Sequence, residues 1–108
     1  MDEPNIIRDT LVEELARNER SQLVYTQEIE RLPKGSLTVR MRRGLPYCYL
    51  KYREEGKVVT KYVGPEKLVG ETLSREIDKR KSLQAALRRL KREHDFIVRA
   101  LGRTPDEA

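Results

Sequence analysis

A chain of 108 residues in which 38% are charged, 6% aromatic and none tryptophan fills one domain but lacks the apolar bulk of a thick core, so thin helices with wet faces are expected. One cysteine, Cys48, excludes an internal disulfide. With no charged-then-apolar leader and no apolar run near the roughly 18 to 20 residues of a bilayer span, the chain reads as cytoplasmic, without a membrane partner.

The net charge of +5 is segregated along the chain. Residues 1–32 carry -4, residues 33–64 carry +6, residues 65–101 carry +4 and the last seven -1. An acidic opening thus faces a basic remainder, part of which is available to a polyanion.

From residue 5 to 32 apolar side chains recur at three- and four-residue steps without glycine or proline, predicting a first helix. Pro4 suits its start, and Asp2 and Glu3 suit the positive end of its dipole. Leu11, Leu15, Asn18, Gln22, Tyr25, Ile29 and Leu32 form a heptad seam with a polar interruption. Leu32-Pro33-Lys34-Gly35-Ser36 ends the helix.

The period then falls to two. Residues 37–42, 47–53 and 57–63 predict three strands, with turns at Arg43-Gly44-Leu45-Pro46 and Glu54-Glu55-Gly56. A tight turn at Gly44 and Leu45 sets Met41 opposite Cys48, Val39 opposite Leu50 and Leu37 opposite Tyr52 on an apolar face. Arg42 then faces Tyr47, Arg40 faces Tyr49 and Thr38 faces Lys51 on the other, with Arg53 beyond. The second turn fits either a two-residue loop or a three-residue loop with a glycine bulge, which leaves the faces of Lys61 and Tyr62 open.

A second helix is predicted over 66–101, with Gly70 weakening its first turn so that firm helix starts near Glu71 or Thr72. Its seam runs through Val69, Leu73, Glu76, Arg80, Leu83, Leu87, Leu90, His94, Ile97 and Leu101. Gly102 stops it, and residues 102–108 read as a flexible tail.

Matching the seams sets Leu32 against Val69, Ile29 against Leu73, Tyr25 near Glu76, Leu15 against Leu87 and Leu11 against Leu90. Gln22, Glu76 and Arg80 form a register-fixing polar layer or a solvated edge. The expected fold class is α+β: a single domain, an antiparallel two-helix coiled-coil hairpin with a small three-stranded antiparallel β-meander between the helices. A homodimer is expected through Ile7, Val12, Val24 and Ile77.

No catalytic constellation is visible, and the chain reads as a non-enzyme without cofactor or metal. His94 reads as a packed histidine and Cys48 as a buried apolar residue, with no base placed beside the thiol. Glu13-Glu14 and Glu54-Glu55 are adjacent acids that point apart, and neither Gly44 nor Gly56 belongs to a phosphate loop.

Residues 47–64, YCYLKYREEGKVVTKYVG, hold four of the five tyrosines. On the polar strand face Arg40, Arg42, Tyr47, Tyr49, Lys51 and Arg53 interleave cations with flat rings, joined by Arg43 at the turn and Lys61 on the third strand. Such a face can stack bases and neutralise phosphates, or lie in a major groove. The same residues are also good strand formers that keep an edge from pairing. Lys81, Arg88 and Arg92 on the second helix extend the basic set.

The stretch ERLPKGSL at 30–37 followed by YCYLKYREEGKVVTKYVGPEKLV at 47–69 resembles a widespread family of small uncharacterised prokaryotic proteins, a domain of unknown function found with mobile elements. The resemblance implies a helix, a tyrosine-rich ribbon and a long terminal helix. Many members carry a cysteine cluster and a His-Gly-Pro before the tyrosines, similar to a metal knuckle. Here Arg43-Gly44-Leu45-Pro46 stands in that place, so no metal role carries over.

The expected function is non-enzymatic nucleic-acid binding, DNA or RNA, in a phage or mobile-element setting. The alternative is a small inhibitor or adaptor of a nucleic-acid-binding protein complex, for example a host defence nuclease complex such as CRISPR-Cas. A purely structural oligomerisation rod is a third reading.

Overall fold

Asn5 opens the first helix. Its side-chain oxygen accepts from the Arg8 amide at 2.9 Å and its carbonyl from the Asp9 amide at 2.9 Å, which satisfies amides that a helix start leaves unpaired. The computed structural model describes residues 5–102, in the order α1 (Ile6–Arg31), β1 (Ser36–Arg42), β2 (Leu45–Glu54), β3 (Lys57–Pro65) and α2 (Glu66–Ala100). The fold is therefore α+β, two helices with a three-stranded antiparallel sheet between them in the chain. Asp2, Glu3 and Pro4 at the expected helix start, and the expected tail beyond residue 102, lie outside the described residues.

The contacts gather into two compact units, one formed by residues 29–83 and the other, among the described residues, by 5–28 with 84–102. In the first, the strands follow the order β1-β2-β3. One sheet face packs on the start of α2, where Cys48 and Leu50 meet Leu73 and Ile77, flanked by Leu37, Tyr52, Val63 and Val69.

Gly70 does not delay α2, which is helical from Glu66. A Cβ there would lie 2.9 Å from the Glu66 Cγ and 3.7 Å from the Cys48 Sγ. The missing side chain lets sheet and helix approach closely, and packing outweighs the propensity cost of about 1 kcal/mol.

Ile77, expected at a dimer surface, is buried in this core because it shares the sheet-facing side of α2 with Leu73. Ile7, Val12 and Val24 are exposed. Val69 and Leu73, expected against Leu32 and Ile29, are also taken up by the sheet core.

Arg80, expected in a polar layer or at a solvated edge, reaches backbone instead. Its Nη1 donates to the carbonyls of Ile29 at 2.8 Å and Leu32 at 2.6 Å. Those oxygens lie where α1 ends, and the Ile29 carbonyl also accepts from the Leu32 amide at 3.1 Å.

In the second unit Leu15, Val98 and Leu101 form the core, with Leu11 and Ile97 packed on it. Leu15 thus meets residues well past the expected Leu87. The buried Asn18 donates through Nδ2 to the Leu90 carbonyl at 2.8 Å and accepts from the Gln22 Nε2 at 2.7 Å. The His94 Nε2 lies 3.2 Å from the Glu19 Oε2. These contacts run antiparallel along α1 and the end of α2. Every seam position is buried or half-buried as expected, although the partners differ, because the sheet occupies the first turns of α2.

Among the described residues no helix is long and apolar enough to cross a membrane.

Candidate nucleic-acid interface

The β1–β2 hairpin turns on Arg43 and Gly44, with φ of 51° and 79°, the two-residue turn whose twist suits paired strands. Strand pairing sets Arg42 opposite Leu45, Arg40 opposite Tyr47, Thr38 opposite Tyr49 and Ser36 opposite Lys51. The expected pairs are displaced by one step along each face: Met41 faces Pro46, Val39 faces Cys48 and Leu37 faces Leu50. The two central residues of the turn are Arg43 and Gly44, one position before the expected Gly44-Leu45, and both take the positive φ of this turn type. The slip is an even number of residues, so the basic and apolar faces survive it.

The second hairpin also uses two residues, Glu55 and Gly56, with φ of 50° and 78°. That choice sets Tyr62 opposite Tyr49 and Lys61 opposite Leu50, with a register shift between Cys48 and Tyr49. Tyr62 therefore joins the basic face, while Lys61 lies on the other face, exposed at the sheet edge.

Three rings cluster on the basic face. Tyr62 lies 5.4 Å from Tyr49 in an edge-on contact and 6.2 Å from Tyr47, tilted by 48°. The Arg40 guanidinium covers the Tyr49 ring at 5.1 Å, a cation–π contact. Tyr49 is consequently buried, with 7% of its surface exposed, and cannot offer a free ring as expected. Tyr47 is half-buried, and Tyr62, 52% exposed, presents the accessible ring. Arg42, Arg43, Tyr47, Tyr49 and Tyr62 line a cavity of about 490 Å³.

Among the described residues no carboxylate pairs with Arg40, Arg42, Arg43, Lys51 or Arg53, and all five are exposed. Lys51 and Arg53 continue the basic face along β2, away from the Arg43 turn. Lys81 is exposed on α2 in the same unit, whereas Arg88 and Arg92 are exposed in the other unit. Tyr62, like Lys61, is a residue whose face the sequence left open. Its signal was the Glu55-Gly56 pair, read as a two-residue turn.

Cys48 is fully enclosed beneath the opposite face. Burial pushes its thiol above the ordinary 9.0, and the charge of Glu66 adds to the rise. Among the described residues no group of three or more histidine, cysteine, aspartate or glutamate side chains is arranged to hold a metal ion.

The profile of a domain of unknown function, DUF6788, matches residues 2–75, more than half of the chain and all of the sheet. The chain belongs to this family. In this DUF6788 protein the rings and guanidinium groups of the basic face all fall within the matched region, and Lys81, Arg88 and Arg92 fall beyond it. Searches of curated proteins and of solved structures found no match.

Proposed function

We propose that this DUF6788 protein is a non-enzymatic nucleic-acid-binding protein of a phage or mobile element, and that the basic face of its sheet is the contact surface. The observation that carries the reading is the grouping of Arg42 and Arg43, without carboxylate partners among the described residues, around the accessible Tyr62 and half-buried Tyr47. Guanidinium groups neutralise phosphates and flat rings meet bases, which is the chemistry a polynucleotide needs. Lys51 and Arg53 extend the phosphate track.

Gel-shift titration against DNA and RNA over a salt series tests this. With three or four phosphates neutralised, log affinity should fall against log salt with a slope of about -2 to -4. Replacing both Arg42 and Arg43 by alanine should flatten that slope by roughly 1.5. Affinity indifferent to salt, or no binding to any polymer, would sink the proposal.

A protein-contact reading, as an inhibitor or adaptor, draws support from Val39, Met41 and Leu45, apolar and exposed beside the same turn. Under that reading a pull-down yields a stoichiometric protein partner that nuclease treatment does not release. The exposed Ile7, Val12 and Val24 offer apolar surface for the homodimer that accompanies either reading.

A further inference from the structure

The geometry of the three rings points to the form of the polymer, and we infer that the cavity takes an unstacked base of a single-stranded nucleic acid, laid against Tyr62 with its flanking phosphates on Arg42 and Arg43. The inference rests on the nucleic-acid reading above and narrows it. A duplex keeps its base faces stacked within the helix and shows a protein only base edges and phosphates. Tyrosine offers chiefly a ring face, and that face is useful to a base already free of its neighbours.

The edge-on contact with Tyr49 and the tilted contact with Tyr47, both on β2, brace the Tyr62 ring while leaving it half exposed. Little side-chain entropy is then left to lose when a base arrives. Arg40 is already engaged over Tyr49, so it props the floor of the cavity, and Arg42 and Arg43 at its wall remain for phosphate. At about 490 Å³ the cavity is of a size for one nucleotide-sized group.

The chain has no tryptophan and five tyrosines, so its own ring emission reports stacking. The full chain is titrated with a single-stranded DNA, the RNA of the same sequence, the DNA duplex, and an abasic strand of equal length. Either single strand should bind more tightly than the duplex or the abasic strand and should quench tyrosine emission. Tyr62→Leu should weaken single-strand binding roughly five- to 150-fold, whereas Tyr62→Phe should retain it. Helical circular dichroism checks that each variant folds. A duplex bound as tightly as the single strand, an abasic strand bound as tightly as the intact one, or Tyr62→Leu without effect overturns the inference while leaving phosphate-driven binding in place. Absence of binding to all four probes overturns both.

Discussion

The fold raises the pKa of the Cys48 thiol, and the shift follows from its position between sheet and helix. Enclosed with Leu50, Leu73 and Ile77, and with the Glu66 charge adding to the effect of burial, the thiol holds its proton above the ordinary 9.0. The unfolded chain ionises near that ordinary value. The stabilisation is therefore fully present below about pH 9 and is lost as pH rises through the higher folded value. Thermal unfolding should show the wild type losing stability through this alkaline range more steeply than Cys48→Ala. Parallel pH profiles for the two proteins would show that the thiol is not the responsible group. At the same scale Tyr49 exchanges openness for support: covered by Arg40 and braced by Tyr62, it lines the cavity as a buried ring.

Both hairpins place a non-glycine residue at positive φ, Arg43 in the first and Glu55 in the second, where asparagine, aspartate or glycine costs less. Arg43→Asn should therefore raise stability by about 0.5–1 kcal/mol, measured by chemical denaturation. If Arg43 meets phosphate, the same variant should also weaken nucleic-acid binding. Glu55→Asn should bring a similar gain with binding undiminished, since that turn lies at the other end of β2. Binding unchanged in Arg43→Asn would remove this arginine from the contact surface. Among the helices, Asn18 and Arg80 do the work of polar seam residues by reaching backbone carbonyls rather than each other. Two chain segments can be aligned this way without burying an unpartnered charge.

At the scale of the molecule, apolar burial is divided between two small clusters, one under the sheet and one around Leu15, Val98 and Leu101. A chain so rich in charge has too few apolar side chains to merge them into one thick core. Val98, fully buried, is a sensitive probe of the second cluster. Val98→Ala should cost about 1–3 kcal/mol. By hydrogen exchange, the loss of amide protection should concentrate in residues 5–28 and 84–102 while the sheet amides keep theirs. An equal loss at the sheet would show that the two clusters open as one.

Although the burial of Ile77 and Val98, which lie off the seams, was not legible in the residues, the element order, the alternation that separates a basic face from an apolar one, and the seam positions of each helix were. These follow from local periodicity, which a two-residue slip of strand register leaves intact. Which inward positions meet depended on the folded chain, because the sheet packs against the start of α2 and takes Val69 and Leu73 into its core. The folded chain also decided that Tyr62 rather than Tyr49 presents a free ring, since a ring's exposure depends on residues brought beside it by turns, and backbone strain at Arg43 and Glu55 is tolerated only when the paired strands hold it.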